Sequence, residues 1–305
     1  MENSAEELRK LTRMVHDKLW LEESFGIDEG PGFEWPEAAK EDSVGGESGK
    51  AHARGRPGSS GASQPESSYQ APGPVPDRPA AQPPQPRPLL VFQPVHVEIT
   101  DCSPEPGDFL EDRELSKKER LDLLWQKARV CTRCGLAKGR QTVVFGEGNP
   151  EAELMFIGEG PGHQEDLSGR PFVGKAGQLL DRIIQAIELK REEVYIANIV
   201  KCHPPGDRSP TPEESQSCLP YLLAQIEIIR PKVICLLGAT AARTMTNTDM
   251  GITRMRGRWH QFNGIPMMPT FHPAYLLRNE TKKRPTWEDM QLVRDKIHEL
   301  RATGG

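Results

Sequence analysis

Four short apolar runs frame the second half of the chain: ELMFIGEG at 153–160, EVYIANIV at 193–200, KVICLLG at 232–238 and IPMMPTF at 265–271. Each is of strand length, and the middle two are rich in Ile and Val. Helical patterns lie between them. Leu179, Leu180, Ile183, Ile184 and Ile187 mark one helix, and Leu219, Leu222, Leu223, Ile226 and Ile229 another. Thr211, Pro212 and Glu214 precede the second as an N-cap, a first-turn proline and a capping-box acid. Strand and helix in alternation require a parallel sheet covered on both faces. The expected fold is therefore α/β: a three-layer α/β/α sandwich around a central, mainly parallel four-stranded sheet, with functional residues at the C-terminal ends of strands. A further helix is expected over 115–129, with Leu121, Leu124 and Trp125 on one face.

The first 113 residues are different material. Residues 26–88 contain 12 Pro and 10 Gly in 63 positions, a low-complexity composition that buries too little apolar surface to offset its chain entropy. The span 26–113 reads as a disordered linker. Ahead of it, residues 1–25 hold a short amphipathic helix with Leu8, Leu11, Val15 and Leu19 at helical spacing, a contact for some unidentified protein partner. Charge divides at the same place. The chain has 39 basic and 44 acidic residues, net -5, but residues 1–113 carry 11 and 21 of them, leaving 114–305 at net +5. A polyanion is thus a reasonable partner for the second half.

No apolar run reaches the roughly 18 residues that a membrane-spanning helix needs, and the charged first twenty residues lack the apolar core of a secretory signal. Six Cys are too sparse for a disulfide scaffold. The expectation is a cytoplasmic monomer with no membrane contact, whose clustered Cys serve as ligands or catalysts.

Cys131 and Cys134 form a CxxC after the 115–129 helix; Cys202 follows the second strand in NIVKCHPP, and Cys218 lies in SQSCLPYL. Four thiolates converging on one point suit zinc or an iron–sulfur cluster, and spacing does not separate the two. A thioredoxin-like pair fits less well, because its CxxC follows a strand and opens a helix. Cys235, inside VICLLG, reads as core, and Cys102 falls in the linker.

The first strand runs into Gly158-Glu159-Gly160-Pro161-Gly162, a turn that lets backbone N–H groups approach a ligand. Pro161 and the absence of a GK[ST] exclude the dinucleotide fingerprint and the P-loop. GEGPG-x3-D-x2-GRPFVG-x-AGQLL, then NIVKCHPP, then FHPAYLLRN, with Cys at 131, 134, 202 and 218, resemble a family 4 uracil-DNA glycosylase over about residues 114–305.

That resemblance implies a prokaryotic base-excision enzyme with a [4Fe–4S] cluster on the four Cys, acting on uracil in single- or double-stranded DNA. Phe172 would stack on the flipped base, and Asn198 would read its Watson–Crick edge. The amide donates to O4 and accepts from N3–H, the inverse of what cytosine offers. Glu165 would exclude the thymine methyl. His272 and the backbone N–H near Gly160 would stabilise charge on uracil O2, and Glu159 would orient the attacking water. Several related families have Asp where this chain has Gly160. Leu276, Leu277 and Arg278 match the position of a wedge that fills the gap in the duplex. Arg254, Arg256, Arg258, Lys282, Lys283 and Arg284 are candidates for phosphate contacts. Asp207 stands where the family often has Asn. The competing class is a non-catalytic iron–sulfur or zinc DNA-binding module.

Overall fold

A computed structural model describes residues 90–91 and 114–303. The helix and most of the linker expected before residue 114 lie outside the described residues. Seven strands form one sheet: β1 (Leu90–Val91), β2 (Glu147–Gly148), β3 (Leu154–Gly158), β4 (Tyr195–Asn198), β5 (Val233–Leu237), β6 (His260–Phe262) and β7 (Ile265–Thr270). Among the described residues eight α-helices accompany them: α1 (Lys117–Arg129), α2 (His163–Ser168), α3 (Lys175–Ala186), α4 (Pro212–Ile229), α5 (Ala239–Thr246), α6 (Ile252–Met255), α7 (Pro273–Leu276) and α8 (Lys283–Thr303). No helix among the described residues is long and apolar enough to cross a membrane.

The sheet order is β1-β6-β7-β5-β3-β4-β2, and the four strands expected from the apolar runs form its parallel centre, β7-β5-β3-β4. Short edge strands widen it. β2 runs antiparallel to β4, and β6 forms a hairpin with β7 through Asn263 and Gly264, both at positive φ as a type I′ turn requires. β1 pairs in parallel with β6, Leu90 beside His260 and Val91 beside Gln261. These two residues fall within the span read as linker, but their backbone pairs with the edge of β6.

Successive side chains of each central strand point to opposite faces, and both faces are buried. Met155, Ile157, Ile234 and Leu236 pack with Leu121 and Leu124 of α1, Leu219 and Leu222 of α4, and α5. Leu154, Phe156, Val233 and Cys235 pack with Leu180 and Ile184 of α3 and with Trp287, Met290 and Val293 of α8. Cys235 is core. The helix starts follow their caps. Thr211 and Glu214 close the capping box of α4 with Pro212 in its first turn, and Ser116 with Glu119 does the same for α1. Chain order reverses between β3 and β5, so a crevice opens beyond their C-terminal ends.

Candidate active site

The crevice is a cleft of about 520 Å³, walled by the exits of β3, β4 and β7. Glu159, Gly160, Pro161, Gly162 and Glu165 form one side, Asn198 and the 204–209 loop another, and Phe172, His272, Tyr275 and Arg278 the rest. The expected residues Glu159, Gly160, Glu165, Phe172, Asn198, His272 and Arg278 are thus brought together from segments more than a hundred positions apart.

Asn198 ends β4 opposite Gly158 in the register. It is 1% exposed, and its Oδ1 is buried without a hydrogen-bond partner. An unsatisfied acceptor at the wall of a cleft is costly unless a ligand supplies the donor. The closeness of the walls depends on Gly158. A Cβ there would sit 2.4 Å from Asn198 Oδ1 and 2.6 Å from Phe172 Cζ, so only glycine lets ring and amide approach each other.

Phe172 adopts φ +52°, a left-handed backbone that a bulky residue holds only under restraint. The restraint is visible. Arg191 donates to the carbonyls of Pro171 and Phe172 and pairs with Asp181 at 2.7 Å. On the other side Gly177 leaves room for the Phe172 carbonyl, which a Cβ would meet at 1.9 Å. The Phe172 and His272 rings lie 5.6 Å apart between centroids, with an interplanar angle of 31°.

His272 caps α7, and its Nδ1 accepts the N–H of Ala274 at 3.1 Å. The neutral ring therefore carries its proton on Nε2. Burial pushes the imidazole pKa down to about 4, with Glu159 opposing the shift, so the ring is neutral near pH 7. Glu159 Oε2 accepts a hydrogen bond from Thr240 Oγ1 at the start of α5. Glu165 turns its carboxylate onto the N–H groups of Val173 and Gly174, each 2.9 Å away, and so ties the Phe172 loop to α2. The buried Asp166 beside it accepts from the N–H groups of Gln141 and Thr142.

At the rim, Leu277 is 42% exposed and Arg278 lines the cleft, whereas Leu276 is buried in the core beside α3. Leu276 is thus removed from the expected wedge, because a helix that packs one Leu inward turns the next outward. Arg256 is likewise not a free phosphate contact. It forms two hydrogen bonds to the buried Asp289 and stands 5.7 Å from the Phe271 ring centre. Lys283 is buried and pairs with Glu280. Arg254 and Arg284 are exposed. Asp207 reaches the cleft wall and bonds His203 Nε2 at 2.8 Å.

Cys131, Cys134, Cys202 and Cys218 line one cavity with Arg133, Arg140, Lys201 and Tyr221. Donors face the sulfurs: Arg140 Nη1 is 3.3 Å from Cys202 Sγ, and the Lys201 N–H is 3.3 Å from Cys218 Sγ. Burial raises the Cys202 thiol pKa and pushes that of Cys218 up to about 12, while Arg140 and Lys201 respectively pull the other way. Among the described residues no three His, Cys, Asp or Glu converge on a point that would hold a single metal ion. The four sulfurs share a cavity.

Comparison with known proteins decides the family. Residues 145–291 match the uracil DNA glycosylase superfamily. The chain is 45% identical over 188 residues to the type-4 uracil-DNA glycosylase of Thermotoga maritima, covering 60% of this chain and 97% of that protein. It is 43% identical over 188 residues to the type-4 enzyme of Saccharolobus solfataricus, covering 59% and 87% respectively. The chain belongs to the type-4 uracil-DNA glycosylases. In this type-4 glycosylase Lys201, Gln225 and Thr240 also touch this constellation, and no motif in the sequence points to them. The place of Lys201 between the apolar NIV and Cys202 is a local signal for the first; nothing local marks the other two.

Proposed function

We propose that this chain flips uracil out of DNA, hydrolyses its N-glycosidic bond and leaves an abasic site. The observation that carries the reading is the buried, unpartnered Asn198 Oδ1, set close to the Phe172 ring in a cleft that also holds a neutral His272. Uracil N3–H satisfies that acceptor and its O4 takes the amide N–H, while cytosine offers the reverse at both atoms. Phe172 stacks on the base, a contact worth about 1–3 kcal/mol. Glu165, bound to the 173–174 backbone, fills the space a thymine methyl needs.

Bond cleavage leaves positive charge on the sugar and negative charge on uracil O2. His272, with Nδ1 occupied by the Ala274 N–H, donates from Nε2, and the backbone N–H near Gly160 adds a second donor. A neutral donor suits a leaving anion, since it is not titrated away near pH 7. Glu159, fixed by Thr240, orients the water that attacks C1′. Leu277 and Arg278 enter the gap that the base leaves in a duplex.

The four Cys are read as the ligands of a [4Fe–4S] cluster, as the family resemblance implies, with all four lining one cavity. The cationic Arg140 and Lys201 and the N–H···S contacts suit a centre of net negative charge. Such a cluster braces the 131–140 and 201–218 segments and supplies no open ligand position. The enzyme domain is read as residues 114–305 with the β1 strand at Leu90–Val91 on its sheet, acting as a cytoplasmic monomer.

Incubation with uracil-containing single- and double-stranded oligonucleotides, followed by hot alkali, tests the activity. Strand scission at uracil is expected. Its absence from protein with an intact metal centre would favour the non-catalytic DNA-binding module.

A further inference from the structure

Lys201 lines the cysteine cavity and reaches across to the main chain of Asn198, which walls the cleft. It is 2% exposed, and its Nζ donates to the main-chain oxygen of Asn198 at 2.9 Å and to Oε1 of Gln225 at 2.6 Å. Gln225 is buried in α4 and passes the contact on, donating to the Phe145 carbonyl at 2.9 Å and the Tyr195 hydroxyl at 3.1 Å. Lys201 is also pinned along its backbone. Its N–H meets Cys218 Sγ, again on α4, and its carbonyl accepts from Val144 N at 2.8 Å.

Burying an ammonium is expensive unless its donors are all put to use, and a Met of similar length would fill the space without that cost. The use on display is the hold on Asn198. The chain leaves β4 at this residue, where Ile199 still pairs with the Gly158 carbonyl and Val200 with that of Glu159. The Asn198 carbonyl has the Lys201 ammonium as its anchor, and rotation of that peptide would carry the Asn198 side chain with it. The amide lies close against the Gly158 backbone, since a Cβ built there would meet Asn198 Oδ1 at 2.4 Å.

We propose that Lys201 is a positioning residue for base recognition, hanging the base-reading end of β4 on Gln225 and Cys218 of the cysteine-bearing helix α4. The inference rests on the glycosylase reading above. Its consequence is a division of labour: loss of the Nζ contacts loosens recognition of the base and leaves binding to the rest of the DNA intact.

The experiment uses the full chain purified with its metal centre. For Lys201→Met, three quantities are compared with wild type: visible absorption of the centre, inhibition of the reaction by free uracil, and affinity for a duplex bearing an abasic-site analogue. The expected result is unchanged absorption, abasic-duplex affinity within about twofold, and a uracil inhibition constant raised about tenfold or more, as loss of hydrogen bonds from a charged donor implies. An unchanged inhibition constant with the centre intact overturns the proposal. If Lys201→Met loses its centre, Gln225→Leu decides, because it removes one Nζ acceptor and spares every cysteine. Weaker uracil inhibition in that variant supports the inference, and wild-type inhibition overturns it. Failure of the glycosylase reading is distinguishable, since the wild-type protein itself would then neither release uracil nor be inhibited by it.

Discussion

Replacing Gly158 by Ala tests how tightly the cleft is built. The new methyl would lie 2.4 Å from Asn198 Oδ1 and 2.6 Å from Phe172 Cζ, against the roughly 3.5 Å that such atoms require. About 1 Å must open on each side. Neither wall retreats freely. The Phe172 backbone is clamped between Arg191 and Gly177, and the Asn198 carbonyl is held by Lys201. Overpacking of this kind costs about 1–3 kcal/mol of stability, and a misplacement of about 1 Å at a reacting site costs about a hundredfold in rate. The expected Gly158→Ala protein therefore folds, melts a few degrees lower and has kcat/KM reduced about a hundredfold, equal to about 2.7 kcal/mol of transition-state stabilisation. Single-turnover release of uracil from an oligonucleotide, read by alkaline cleavage, measures the rate, and circular dichroism measures the melt. Gly251→Ala is the control, since a Cβ there meets nothing within 4 Å. A Gly158→Ala enzyme with wild-type melting and uracil release within about threefold of normal would refute the reasoning.

Other expectations follow from the same cleft. Asn198→Ala removes both contacts to the uracil edge and is expected to lower kcat/KM a hundredfold or more while the metal centre keeps its absorption, measured in the same assay. His272 holds its pKa near 4 when folded against about 6.5 when unfolded, so the unfolded chain binds the proton first as pH falls. The stability linked to this shift is fully present above about pH 6.5 and lost toward pH 4, up to about 3 kcal/mol, so wild type should lose stability relative to His272→Gln over that interval in urea melts. Cys218→Ala, at a buried sulfur of the four-cysteine cavity, is expected to lose iron and visible colour, checked by iron and sulfide analysis. Leu277→Ala, at an exposed position, is expected to change stability by less than about 0.5 kcal/mol, to slow uracil release from duplex and to spare single strands; equal rates on both substrates would remove it from the wedge.

The layered α/β architecture was legible because it rests on local periodicity. Runs such as KVICLLG have no polar face to turn to water, and the pattern of Leu179, Leu180, Ile183 and Ile184 repeats at helical spacing, so both needed partners on each side of a sheet. The Thr211–Glu214 cap was equally local. The edges were harder to see. β2 has two residues and β1 another two, too short for any periodicity, and Asn263-Gly264 carried a hairpin signal that the alternation of strand and helix masked. Charge behaved similarly. Arg256 looked like a surface cation by type, but Asp289 claims it, and that partner is known only once α8 packs against the sheet.

For the cleft, sequence determined which residue types stand at strand ends: a glycine turn after β3, Asn198 closing β4 and His272 following β7. It could not determine their spacing or their state. That Asn198 Oδ1 is left without a donor, that His272 carries its proton on Nε2, and that Lys201 joins the cleft to the cysteine cavity all depend on contacts between distant segments. Hydrogen bonding and desolvation are set by which groups exclude water from one another, and chain order alone does not specify that. Tertiary packing did so, by laying α4 on one face of the sheet and bringing Phe172 against the end of β3.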